Sequence, residues 1–256
     1  MGDIEGPFLA DDSGPSVRQL TITGERTLPG IPAENYWFQR HVVAYRFAAG
    51  LVQGAQVLDA GCGEGYGADL LAASAAEVIG VDLDEGVVAH AGHRYPRARF
   101  EKADLLQLPF PDASFDAVVT FQVIEHLSEP RAFIAECARV TRPGGRLILS
   151  TPNRLTFSRD GVRNPFHTYE FTAEELRALI AAYMTVENLA GTFHARRIRA
   201  CEILLRKPFP ERLLEQPAPE WPGWLRRIVE HTTERDFAIR PADLARCLDL
   251  IAVARR

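Results

Sequence analysis

An α/β fold built around a mostly parallel sheet is what this sequence of 256 residues predicts. Three observations carry the prediction. Short apolar runs alternate with stretches of helical periodicity from residue 56 onward, the pattern of strands joined by crossover helices. The first apolar run ends in alternating glycines (Gly61, Gly63, Gly65, Gly67) just before a helical stretch. No run reaches about 18 consecutive apolar residues, so nothing reads as a membrane span.

The elements follow in order. Residues 1–32 are rich in Gly, Pro and Asp and show little periodicity. Residues 33–49 change character: Phe38, Val42, Tyr45 and Ala49 recur at helical spacing, and Gly50 stands where a helix stops. Strands are predicted at 56–60, 78–83, 99–103 and 115–121, with helices at 66–75, 85–94 and 130–140. Ser128 suits the N-cap of the last of these, with Pro130 in its first turn. Arg142-Pro143-Gly144-Gly145 breaks the chain before a fifth strand at 146–150. A helix at 172–183 and strands at 185–193 and 247–255 complete seven strands. One domain spans 1–256: an N-terminal helix and lid at 1–50, a core at 51–193, an insertion at 194–246 and a last strand at 247–256.

Composition narrows the class. Hydrophobic residues at 46% and charged residues at 25% are ordinary for a globular chain and exclude wholesale disorder, collagen and coiled coil. The net charge of −5 argues against a nucleic-acid partner. Cys62, Cys137, Cys201 and Cys247 are scattered, with no paired spacing for zinc or a disulfide framework, so a reducing cytoplasm is expected. Met1 to Asp12 is acidic and lacks an apolar run, so no secretory signal is expected.

The residues richest in chemistry begin with Val57-Leu58-Asp59-Ala60-Gly61-Cys62-Gly63-Glu64-Gly65-Tyr66-Gly67. Glycines at a strand–helix turn let backbone approach a ligand closely. The dinucleotide spacing G-x-G-x-x-G fails, because the sixth position from Gly61 is Tyr66. Asp59, just before the glycines, would repel a pyrophosphate and suits a cationic amino-acid group. Gln122-Val123-Ile124-Glu125-His126-Leu127 follows the fourth strand, where a positioned histidine can take a proton. His126 could equally be architectural. Asn164-Pro165-Phe166-His167-Thr168-Tyr169-Glu170 follows the fifth strand, and His167 there is a second acid/base candidate or a loop-builder. Near the N-terminus, Glu25, Arg26, Tyr36 and Trp37 belong to a stretch denser in charge and aromatic rings than a plain amphipathic helix needs.

The D-x-G-x-G-x-G pattern starting at Asp59 resembles motif I of the class I S-adenosylmethionine-dependent methyltransferases of the type 11 family. Val81-Asp82-Leu83, Lys102-Ala103-Asp104-Leu105, Phe115-Asp116-Ala117-Val118-Val119 and Arg142-Pro143-Gly144-Gly145 continue the resemblance in order. It implies a Rossmann-like three-layer sandwich whose seven-stranded sheet has a reversed last strand. It implies S-adenosylmethionine as cofactor, held by Tyr36, Trp37, Asp59, Gly61, Cys62, Gly63, Asp82, Leu83, Asp104, Leu105 and Gln122. Asp82 is expected on the ribose hydroxyls and Asp104 on the adenine amino group. Some quinone O-methyltransferases of this family hold a divalent ion with a similar Glu-His pair, so a magnesium ion at Glu125 and His126 stays open.

The N-terminal block also resembles methyltransferases of mycobacterial polymethylated polysaccharide biosynthesis. That likeness implies a short mannoside as acceptor, methylated at its 1-hydroxyl, with Glu25, Arg26, Tyr66 and Asn164 binding it. It implies His126 as base, His167 as second choice and Glu125 orienting. It implies a small carbohydrate partner, no nucleic acid and no membrane, and leaves a homodimer open. Transfer to a phenol, quinone or lipid, or a non-catalytic adenosylmethionine-binding role, are the competing expectations.

Overall fold

The computed structural model describes residues 27–158 and 164–256. After a short 3-10 turn, Pro32–Glu34, the elements run Asn35–Ala49 (α1), Gln56–Ala60 (β1), Tyr66–Ala72 (α2), Glu77–Asp82 (β2), Glu85–Arg94 (α3), Arg99–Lys102 (β3), Phe115–Phe121 (β4), Pro130–Val140 (α4), Thr141–Pro152 (β5), Arg154–Phe157 (α5), Ala173–Ala181 (α6), Thr185–His194 (β6), Arg196–Leu205 (α7), Phe209–Leu214 (α8), Gly223–Glu230 (α9), Phe237–Arg240 (β7) and Asp249–Arg255 (β8). Local chemistry sets several boundaries. Asp84 caps α3 by accepting from the Gly86 and Val87 N–H groups. Thr172 and Glu175 close a reciprocal capping box on α6. Helix α4 is capped at Glu129 without a side-chain bond, so the expected cap, Ser128, lies one residue too early.

Among the described residues the strands make one sheet of eight in the order β3-β2-β1-β4-β5-β8-β6-β7. Strands β1 to β5 pair in parallel. Strand β8 lies antiparallel to both β5 and β6, and β7 is antiparallel to β6. The reversed last strand is as expected; the count is not. The eighth strand, β7, comes from the stretch expected to be a mere insertion. Its apolar run, Phe237-Ala238-Ile239, is too short to show alternation. Arg142–Gly145 does not end a segment either. Hydrogen bonding carries β5 from Thr141, which pairs with Phe115, to Arg146, which pairs with Ala117, and the four residues between them bulge out.

Apolar layers cover both faces. On one, Phe133 and Ile134 of α4 and Leu176 and Ile180 of α6 pack on Leu58, Val118 and Leu147. On the other, Tyr45 and Ala48 of α1 and Leu71 of α2 pack on Val78, Val119 and Ile148. A third cluster joins α1 to α7, α8 and α9 around Tyr36, Ile198, Phe209 and Leu225. Each such side chain, fully buried, contributes about 1.5–3 kcal/mol. Strand order reverses between β1 and β4, and their carboxyl ends diverge there into a crevice.

Candidate active site

A cleft of about 270 Å³ occupies that crevice. The glycine loop forms one wall. Gly61 has φ +82°, and a Cβ there would stand 2.5 Å from Val123 Cγ2, so only glycine lets the loop lie against the end of β4. Asp82 ends β2 and accepts from the Gly63 N–H at 3.1 Å and the Asp84 N–H at 3.0 Å, which ties the loop to the strand tip. Asp104 follows β3, and its Oδ1 accepts from the Leu106 N–H at 2.9 Å. Gln122, at φ +56°, turns the chain at the end of β4 and donates from Nε2 to Ser150 Oγ at 3.1 Å and Asp249 Oδ1 at 3.3 Å.

Helix α1 supplies the roof. Its His41 Nδ1 lies 3.1 Å from the Tyr66 hydroxyl and 3.2 Å from that of Thr27, and these two hydroxyls are 3.2 Å apart. Loss of water pushes the imidazole of His41 down to about 4, Arg40 adds to the effect and Asp249 opposes it, so the ring is neutral at physiological pH. Tyr45 donates its hydroxyl proton to the two oxygens of Asp59 at 3.2 and 3.4 Å. Burial pushes the Asp59 carboxyl up to about 7, against the Tyr45 bond and helped by the charge of Asp82. Arg40 forms a buried pair with Asp249, donating from Nε at 2.7 Å and also from a terminal nitrogen.

At the far end lies a cluster of ionisable groups. His126 Nδ1 is 2.9 Å from the Phe166 carbonyl oxygen, and His167 Nδ1 is 2.8 Å from Glu170 Oε1. The two imidazoles meet edge to face with centroids 5.1 Å apart. Glu125 is fully buried and accepts from the Thr151 hydroxyl at 3.0 Å on one oxygen, while its Oε1 has no hydrogen-bond partner. Burial pushes this carboxyl up to about 8, against the Thr151 bond, so it holds its proton at neutral pH. Burial also lowers His167, opposed by Glu170. One donor atom each from Glu125, His126 and His167 lies within 4.8 Å of the others, a set able to hold a metal ion.

Of the residues expected at the site, the cleft brings together Gly61, Cys62, Gly63, Tyr66, Asp82, Leu83, Asp104, Leu105, Gln122 and His126. Asp59 stands behind the wall, fully buried, with Tyr45 between it and the cleft. Glu125 and His167 adjoin His126. Two expectations for α1 need correction. Tyr36 is fully buried in the third cluster, its hydroxyl 2.6 Å from His194 Nε2, and Trp37 packs beside it under Arg40. Neither lines the cleft. Asn164 does not line it either: its Oδ1 accepts from the Phe166 N–H at 3.0 Å and shapes the loop. Glu25 and Arg26 lie outside the described residues. The sequence alone does not single out Thr27, His41, Tyr45 or the Arg40–Asp249 pair. The i, i+4 spacing of His41 and Tyr45 was the one available signal.

A family profile described as a methyltransferase domain matches residues 58–149. A probable S-adenosylmethionine-dependent methyltransferase of Mycolicibacterium smegmatis is 46% identical over 254 residues, covering 96% of this chain and 98% of its own. One of Mycobacterium tuberculosis is 46% identical over 263 residues, covering 98% of this chain and 94% of its own. Both names state the cofactor and leave the acceptor unspecified. Among solved structures, an S-adenosylmethionine-dependent methyltransferase of Thermotoga maritima, described as a possible histamine N-methyltransferase, superposes with a TM-score of 0.60 at 19% identity, over 86% of this chain and 92% of that one, a likeness of fold.

Proposed function

The chain belongs to the S-adenosylmethionine-dependent methyltransferases and has their class I fold; from there we propose that it moves the methyl group to a hydroxyl oxygen of a small carbohydrate, a short mannoside methylated at its 1-hydroxyl, with His126 as the proton acceptor. One observation carries the choice of base. A carbonyl oxygen can only accept, so the contact with Phe166 puts the proton on His126 Nδ1 and leaves the lone pair on Nε2. His126 lines the cleft just past the end of β4. The acceptor hydroxyl passes its proton to Nε2 as its oxygen forms the new bond to carbon. The cofactor, when bound, would supply the methyl group, its sulfur keeping the electron pair of the carbon–sulfur bond given up.

The donor end fits the cofactor by chemistry. Acids stand at the ends of three successive strands, Asp59 within β1, Asp82 ending β2 and Asp104 two residues after β3, and of these Asp82 and Asp104 line the cleft beside a glycine-rich loop. Bound S-adenosylmethionine supplies an electrophilic methyl carbon. Asp82 is assigned to the ribose hydroxyls, Asp104 to the adenine amino group, and Leu83 and Leu105 to the faces of the base. Support for a sugar comes from the polar groups in the lining: Thr27, His41, Tyr66 and His126 offer hydroxyl and imidazole groups able to bond to sugar hydroxyls, beside the apolar Phe121, Val123 and Leu127. On this reading the partner is a small carbohydrate, and no nucleic acid or membrane surface is needed.

A second reading rests on the Glu125, His126 and His167 donor set, with Oε1 of Glu125 buried and unpartnered. Two imidazoles and one carboxylate suit a transition ion such as zinc or manganese better than magnesium, which prefers an all-oxygen shell. A divalent ion held there would acidify a hydroxyl bound to it. His126 Nε2 would then be a ligand and not a base.

Assays with short methylated mannosides and glucosides, set against catechols and fatty acids, test the proposal. The expected result is turnover on a mannoside that falls about 100-fold in kcat in His126→Ala, with cofactor affinity unchanged. Turnover confined to aromatic or lipid acceptors overturns the sugar assignment. Full loss of wild-type activity on chelation moves the mechanism to the metal reading.

A further inference from the structure

Asp59 looks like the natural partner for the ammonium group of the cofactor's amino-acid end, but its position argues otherwise. Its side chain is fully buried and does not line the cleft. What lines the cleft in front of it is Tyr45 of α1, whose hydroxyl reaches both carboxylate oxygens, at 3.2 and 3.4 Å. We infer that Tyr45 is the cofactor-contacting residue of this pair: its hydroxyl oxygen accepts from the ammonium group, and Asp59 acts through it as a positioning residue. This rests on the cofactor site proposed above.

The geometry fixes the ring that carries this hydroxyl. The Tyr45 ring passes directly against α2 at Gly67, where a Cβ would stand 2.0 Å from Cζ and 2.3 Å from Cε1 of the ring. Gly67 has no Cβ, and the space it leaves is filled by this ring. The ring is held edge-on by Phe121 of β4 at 4.8 Å and by Tyr66 of α2 at 5.8 Å between centroids. The hydroxyl therefore has one orientation available. Its single proton goes to Asp59, so its lone pairs remain for a donor arriving from the cleft. A carboxylate behind a phenol polarises it and adds negative charge to the oxygen facing the ligand. The charged and titratable groups around Asp59 are Tyr45 on α1, Cys62 in the glycine loop, Tyr66 at the start of α2 and Asp82 at the end of β2. None of them is cationic, so an incoming ammonium would be the first positive charge in this corner.

Direct contact and relay through Tyr45 predict opposite rankings of two variants. If Asp59 touched the ammonium itself, Asp59→Asn would remove the charge at the contact and Tyr45→Phe would matter little. In the relay, Asp59→Asn keeps an amide oxygen to accept the Tyr45 proton and is the milder change. Calorimetric titration with S-adenosylhomocysteine and with its analogue lacking the amino group gives the readout. The expected result is that wild type prefers the amino compound, Tyr45→Phe weakens it about tenfold and erases the preference, and Asp59→Asn retains part of it. Thermal midpoints of the free variants identify any that fail to fold. For such a case Tyr45→Met, which keeps apolar volume beside Gly67, replaces Tyr45→Phe. A larger loss in Asp59→Asn than in Tyr45→Phe, or an unchanged preference in Tyr45→Phe, overturns the inference. Failure of the wild type to bind S-adenosylhomocysteine would instead remove the cofactor site itself.

Discussion

Glu125 shows how much one buried group can do. Its folded carboxyl is pushed up to about 8, from an ordinary value of 4.5. Below the ordinary value both folded and unfolded chains hold the proton, and its contribution to stability is complete. As pH rises past it, the unfolded chain ionises while the folded chain does not, so stability falls until pH passes about 8. The slope is at most about 1.4 kcal/mol per pH unit. Asp59, raised to about 7, acts with the same sign over the window from its ordinary 3.8. Denaturant midpoints at pH 5 and 8.5 should show the free protein weaker at the higher pH. Glu125→Gln, which cannot ionise, should lose distinctly less. Equal losses in both proteins would mean that Glu125 is ionised in the fold, with a cation beside it.

At the scale of elements, α1 determines whether the cleft has a roof. Its attachment to the sheet runs through Arg40 and Asp249, both almost fully buried, and through Gln122, which shares Asp249. Removing one member of a buried pair leaves the other charge without compensation, at a cost of about 3–5 kcal/mol. Arg40→Met should therefore lower the unfolding free energy by about that amount, and the double variant Arg40→Met with Asp249→Leu should recover most of it. A double variant no better than the single would show that Asp249 has another cation in reserve.

The same helix marks the limit of what the sequence discloses. Strands β1, β2 and β4 and helices α3 and α4 were legible because local period and turn residues alone set them. The glycine loop and the three strand-end acids were legible because their spacing is local too. The phase of α1 was not: five residues turn a helix by about 140°, so Tyr36 enters the third core while His41 faces the cleft. Nor could spacing reveal that Arg40 meets a carboxylate 209 positions away. That partnership exists only once β8 has been inserted between β5 and β6.

On the scale of the whole molecule, the cleft joins parts that are far apart in sequence: the roof on α1, the glycine loop after β1, the turn after β4 and, through Asp249, the start of β8. A ligand that bridges them should stabilise all of them together. Saturating S-adenosylhomocysteine at about 100 times its dissociation constant should add about 2.7 kcal/mol to the folded state. A scan of thermal midpoints should show a rise of several degrees with this ligand and none with nicotinamide dinucleotide. The reverse pattern would contradict the placement of the donor site. No helix among the described residues is long and apolar enough to cross a membrane.

The sheet's outermost strands, β3 and β7, have a consequence for behaviour in concentrated solution. Each is only four residues long. Strand β3 carries Arg99, Glu101 and Lys102, and β7 ends on Arg240. Unpaired backbone groups on such rims are templates for strand addition between molecules, and short length with charged side chains works against it. Fibrillar growth by rim-to-rim pairing is thereby disfavoured at both ends of the sheet.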